Sequence, residues 1–176
     1  MIQQYFESLK FLWLSPAQFF NQSFDPGGEK AAFRFANLTG ILVALELGLA
    51  EICSGGSKIN VVLVTLAMLL AMPFLVNAGI YLWAGFMRLC ASLLGETLPL
   101  EPLRQVVAYS IAGIALFGLG FGLGKWLSLA TFVFQVFGLE KVLKCSRWTA
   151  GILVAFPFSL LAVLLIFGAF MFKVFK

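Results

Sequence analysis

The chain has 176 residues, of which 61% are hydrophobic and only 11% charged, with a formal net charge of +4. Soluble domains run to about 45–50% apolar and about 25% charged, so a soluble globular fold is excluded and lipid is the expected solvent. The positive charge is spread along the chain. That excludes a nucleic-acid face, which needs clustered cations, and suits the basic-loop asymmetry of membrane proteins.

Composition also removes much catalytic chemistry. The chain has no histidine, so Ser-His-Asp and Cys-His arrangements and the commonest metal ligand are all missing. Its three cysteines, Cys53, Cys90 and Cys145, are far apart and form no CxxC, so neither a disulfide framework nor a zinc site is expected. No metal, no cofactor and no enzymatic activity are expected.

Residues 1–30 read as an N-terminal interfacial segment. Ile2, Tyr5, Phe6, Leu9, Leu12 and Trp13 fall near helical spacing, the pattern of an amphipathic helix resting on the inner membrane surface. Ser15 and Pro16 look like an N-cap and first helical position, opening a second short helix through Phe19 and Phe20. Asp25-Pro26-Gly27-Gly28 reads as a turn into the bilayer. No removable signal peptide is expected, since Glu7 and Lys10 interrupt the early apolar residues.

Residues 31–176 read as an all-α polytopic bundle with five transmembrane helices, at about 31–52, 59–94, 103–121, 126–143 and 149–172. A span needs about 20 apolar residues. The second stretch is longer than that, about 54 Å as a helix at 1.5 Å per residue. It is interrupted only by Pro73, Asn77 and Arg88 and lacks the polar turn of a hairpin. One long helix is the expected form, either extending into the cytoplasm or bent at Pro73.

Orientation follows from the cations. With the N-terminus inside, Lys10, Lys30, Arg34, Arg88, Arg104, Lys141, Lys144 and Arg147 lie on the inner side. Lys58, Lys125, Lys173 and Lys176 lie outside. The excess favours a cytoplasmic N-terminus and an outer C-terminus.

Glu46, in the first span, is the sharpest candidate for function. It stands about 6 Å from mid-span, where an acidic group costs about 2.5–3.5 kcal/mol on insertion scales. It reads either as an ion or proton site or as a structural carboxyl packed inside the bundle. Gln135 is expected at similar depth and within reach of Glu46, with Thr65 a further partner. Asn77, Arg34 and Asn37 lie nearer the inner face. Arg34 and Asn37 share a helix face and either line a cytoplasmic-facing cavity or, for Arg34, snorkel to headgroups.

Gly118, Gly120, Gly122 and Gly124 form overlapping GxxxG patterns in the third span, a feature of close helix packing. Lys141, Lys144 and Arg147 make a basic turn suited to anionic lipid headgroups.

Two motifs carry a resemblance. Ser15-Pro16-Ala17-Gln18-Phe19-Phe20 ahead of the first span resembles the SPxxFF entry of bacterial proteins of the Yip family (Ypt/Rab-interacting proteins). Tyr109-Ser110, opening the third span, resembles that family's tyrosine-serine motif. The five-span layout with a long second span is similar too. Relatives often carry proline three residues after the serine, where this chain has Gly113, so a straighter third helix is expected.

The resemblance implies a non-enzymatic membrane organiser or adaptor in the bacterial inner membrane. Its partners would be lipids, a second copy of the chain or another membrane protein. Eukaryotic members bind small GTPases partly through a longer soluble N-terminal region. That region is missing here, so GTPase binding is not carried across. The alternative from the residues is a small transporter or channel around Glu46.

Overall fold

The computed structural model describes residues 2–22, 28–53, 55, 58–115, 129–156 and 159. Every regular element among them is helical. In chain order these are α1 (Ile2–Leu14), α2 (Pro16–Gln22), α3 (Glu29–Cys53) and α4 (Lys58–Leu93). They are followed by α5 (Leu100–Ser110), a 3-10 turn (Ile111–Ile114), α6 (Ala130–Val142) and α7 (Arg147–Phe156).

Local chemistry sets the breaks. At Ser15 the backbone N–H closes α1 on the Phe11 carbonyl at 2.9 Å, while its own carbonyl opens α2 by accepting from Phe19 at 2.9 Å. Pro16 takes the first position of α2, where a missing N–H costs nothing. The C-terminus of α4 is a Schellman motif. Gly95 adopts φ 79°, Gly95 N–H donates to the Ser92 carbonyl and Glu96 N–H to that of Ala91 at 2.9 Å. Ser146 caps α7, its Oγ accepting from the Thr149 backbone N–H at 3.0 Å.

Helices α3 and α4 are long and apolar enough to cross a membrane. In α4 only 6% of the apolar window is buried, the reverse of a soluble core helix. Its exposed face carries Leu63, Leu66, Leu70, Phe74 and Leu82, surface that only lipid or another apolar partner can accept. The helix passes through Pro73 without interruption. The third expected span opens as α5 and its 3-10 turn, and the described parts of the fourth and fifth are α6 and α7.

α3 and α4 run antiparallel, their register pinned by Phe33 against Tyr81 at 5.4 Å between ring centroids. The contact is close because α3 repeats a small residue every fourth position: Ala32, Ala36, Gly40, Ala44 and Gly48, all buried. A Cβ on Gly40 would stand 2.8 Å from Val76 Cγ2, and one on Gly48 would overlap Thr65. In lipid, apolar burial gives little drive for association, so helix pairs rely on this fit.

Two corrections to the sequence reading concern packing. α1 turns Tyr5, Leu9 and Leu12 into the protein and does not present that face to the membrane surface. Trp13 Nε1 donates to the Ala112 carbonyl at 3.2 Å, tying the end of α1 to the 3-10 turn. The third helix does not continue as α past Ser110. It tightens from α to 3-10 at Ile111, and Gly113 there packs so closely on the Thr131 backbone that a Cβ would collide with it. The glycines at 118, 120, 122 and 124 and the turn at residues 25–27 lie outside the described residues.

Candidate functional site

One end of the bundle gathers the start of α3, the end of α4, the start of α5 and the α6–α7 turn. Arg104 Nε meets Glu29 Oε1 at 2.7 Å, without the N–H alignment of a hydrogen bond. The same guanidinium lies 5.0 Å over the Tyr81 ring. Cys145, in the α6–α7 turn, senses the carboxylate of Glu96 beyond α4. Arg34, Arg88, Arg104, Lys141, Lys144 and Arg147 all belong to this end.

The two sequence motifs meet here. Phe19 of α2 stands edge-on to Tyr109 of α5, ring centroids 5.1 Å apart. Tyr109 also packs on Phe35 at 5.2 Å, and Phe35 on Tyr5 at 5.0 Å. Phe20 is buried beside Phe19. Ser110 is fully buried and donates to the Val106 carbonyl at 2.7 Å, a backbone bond that occupies its hydroxyl proton. Ser15 and Pro16 set the angle between α1 and α2.

Beside this aromatic run, α1 stands off α3 to leave a cavity of about 410 Å³. Gln4, Tyr5, Glu7 and Ser8 form one wall, and Arg34, Phe35 and Tyr109 much of the other. The Arg34 guanidinium makes no hydrogen bond or ion pair with any described residue. Glu7 accepts from Gln3 Nε2 at 3.1 Å. Charged and aromatic groups here surround an opening near the first turns of α3, an arrangement suited to binding.

Arg34 and Asn37 part company. Asn37 does not line this cavity. The α3–α4 register places it level with Asn77, and the Oδ1 atoms of both are buried with no hydrogen-bond partner.

Glu46 is buried within the bundle. Tyr5 reaches in from α1 to Thr39, their hydroxyls 3.1 Å apart, and Thr39 donates to the Phe35 carbonyl at 3.1 Å. That leaves the Tyr5 hydroxyl as the donor to Thr39. Burial pushes the Tyr5 phenol above its ordinary pKa, and the Glu46 charge adds to the rise. The expected bond from Gln135 to Glu46 is replaced by another: Trp83 Nε1 donates to Gln135 Oε1 at 3.1 Å. Thr65 packs on Gly48.

A second cavity of about 350 Å³ lies between α4, the 3-10 turn and α6, with Trp83, Gln135 and Thr131 on an otherwise apolar lining. Of the basic turn, Arg147 and Lys141 are both held by Glu140, at 3.0 and 3.1 Å. Lys144 is exposed, with a left-handed φ of 57°. Among the described residues no cluster of His, Cys, Asp and Glu could hold a metal ion.

Sequence reasoning missed Tyr5, Glu7 and Trp13 as site-forming groups. The signal was present, because Tyr5 and Trp13 bring hydrogen-bonding groups to the apolar face of α1 and Glu7 brings a charge to the same helix. The Glu29–Arg104 pair left no local signal.

Compared with protein-family models, with curated proteins and with solved structures, the chain finds no match. The likeness to the Yip family rests on the two motifs and their order.

Proposed function

We propose that the chain is a Yip-like, non-enzymatic organiser of the bacterial inner membrane, with five spans and a cytoplasmic N-terminus. It acts through helix packing and through lipid or protein contacts at its inner face. One observation carries this reading: the two motif segments meet, Phe19 on Tyr109, beside a charged cavity at the basic end of the bundle. Such a contact holds the N-terminal segment against the bundle and so supports a docking surface at headgroup level. Crosslinking in native membrane followed by mass spectrometry is expected to recover retained lipid together with an oligomer or a membrane partner. A monomer that retains neither lipid nor partner overturns the reading.

The five-span layout with the N-terminus inside has its own test. A maleimide that cannot cross the membrane should label Cys53, at the exposed end of α3, from the outer face. Labelling only after the membrane is opened reverses the orientation.

A second reading is a small conduit at Glu46, favoured by a buried carboxylate that influences a Tyr5–Thr39 hydroxyl pair. Ion or proton flux in proteoliposomes that Glu46→Gln abolishes would establish it. Unchanged flux, with an altered melting temperature only, would discard it.

A further inference from the structure

We propose that the cavity between α1 and α3 is a binding site for the headgroup of a zwitterionic phospholipid, with phosphoethanolamine the best fit. This rests on the reading of the chain as a membrane organiser that contacts lipid.

The argument starts from Arg34. Its side chain is exposed on the cavity wall and makes no hydrogen bond or ion pair among the described residues. An unpaired guanidinium beside an opening is a ready partner for an anion, and its planar fork matches phosphate oxygens two at a time. Arg34 stands about 7.5 Å along α3 from Glu29 at 1.5 Å per residue. Leu38, one turn deeper, also lines the cavity. The opening thus sits where headgroups meet acyl chains.

Glu7 decides the class of headgroup. It faces the same cavity, so the walls carry one positive and one negative charge. An anionic headgroup would satisfy Arg34 but be repelled by Glu7. A zwitterion answers both, its phosphate on Arg34 and its ammonium at Glu7. Tyr5, Phe35 and Tyr109, joined by centroid distances of 5.0 and 5.2 Å, also line the cavity, and aromatic surface beside an ammonium is favourable. Ser8 offers a hydroxyl acceptor that a primary ammonium can use and a quaternary one cannot. The volume of about 410 Å³ falls in the range of about 300–1,000 Å³ usual for small-ligand sites.

The test is a titration of delipidated full-length protein in detergent, read by native mass spectrometry. The probes are phosphatidylethanolamine, phosphatidylglycerol and phosphatidylcholine, with inorganic phosphate and soluble phosphoethanolamine as competitors. The native chain should prefer phosphatidylethanolamine to phosphatidylglycerol by about tenfold or more, the scale of one charge-assisted hydrogen bond. Glu7→Gln should narrow or invert that preference, and Arg34→Gln should weaken both lipids, with partial recovery in Arg34→Lys. Should Arg34→Gln fail to fold, the selectivity change in Glu7→Gln, on an exposed side chain, decides alone. Displacement by inorganic phosphate, with no preference among lipids, would reassign the site to free phosphate and overturn the proposal. Equal retention of the lipids in the native chain and both variants would sink the headgroup site and leave the organiser reading standing. Retention of no lipid at all, with no partner recovered in the native membrane, would sink both.

Discussion

Phe19 and Tyr109 stand edge-on at 5.1 Å, their ring planes 72° apart, although ninety residues of chain separate them. Phe19 belongs to the short helix that Ser15 and Pro16 open, and Tyr109 to the helix that becomes 3-10 two residues later. The contact locks the N-terminal segment to the bundle. Phe19 is almost fully buried and touches Phe11 and Phe20 as well, so its removal opens a cavity. Phe19→Ala is expected to lower stability by about 3–5 kcal/mol. A double-mutant cycle with Tyr109→Leu should give a coupling of about 0.5–1.5 kcal/mol, the scale of an aromatic pair beyond its buried area. Thermal unfolding in detergent measures both, and a coupling near zero would deny the pair a specific role.

The small-residue ladder of α3 makes opposite predictions for two kinds of glycine. At Gly48 a side chain must displace Thr65, so Gly48→Leu should cost about 1–3 kcal/mol through overpacking. At Gly85 a Cβ meets nothing within 4 Å, and the residue is exposed on α4. Gly85→Ala should therefore stabilise the helix by about 0.4–1 kcal/mol by reducing the freedom of the unfolded chain. Melting temperatures of the two variants should move in opposite directions. A fall in both would mean that α4 meets a partner at Gly85.

That ladder also marks where the sequence was legible and where it was not. The break at Ser15 and Pro16 is readable because the residues that cause it are adjacent in the chain. The long α4 is readable because no polar turn interrupts it. The spacing of Ala32, Ala36, Gly40, Ala44 and Gly48 is equally visible, although the glycines at 118–124 are denser. Depth along a helix can be counted, but the direction a side chain faces depends on its neighbours. Gln135 was placed at the depth of Glu46 and bonds Trp83. Arg34 and Asn37, three residues apart, diverge to different surroundings because positions three apart are offset by about 60° around the helix axis, at 3.6 residues per turn. The close approach of Gly113 to Thr131 has no local signature either, since it depends on how α6 meets the 3-10 turn.

Lys144 combines an exposed cation with a backbone that favours glycine. Its φ of 57° follows the last turn of α6, and the left-handed conformation costs an L-residue about 1–2 kcal/mol. Lys144→Gly should raise stability by about 0.5–1 kcal/mol after the greater freedom of glycine in the unfolded chain is deducted. Lys144→Asn, which tolerates the same conformation, should fall between. If Lys144 also contacts anionic headgroups, both variants should lose affinity for anionic vesicles while gaining in melting temperature. A loss of stability in Lys144→Gly would show that the side chain is held by a contact that outweighs its backbone strain.

Cys145 reports on the closeness of the α4 terminus to the α6–α7 turn. Burial disfavours its thiolate and so raises the thiol pKa, and the negative charge of Glu96 raises it further. The thiolate is the reactive species. Alkylation of Cys145 should therefore accelerate only at higher pH than for an ordinary thiol. In a chain carrying Cys53→Ser and Cys90→Ala, the rate of iodoacetamide labelling against pH gives the midpoint directly. Glu96→Gln removes the repelling charge, and the midpoint should move to lower pH while remaining above the ordinary thiol value, because burial, the larger cause, is untouched. An unmoved midpoint would place Glu96 too far from the turn to act on it, and with it the end of α4. A midpoint that moves all the way to the ordinary value would make charge, not burial, the dominant cause.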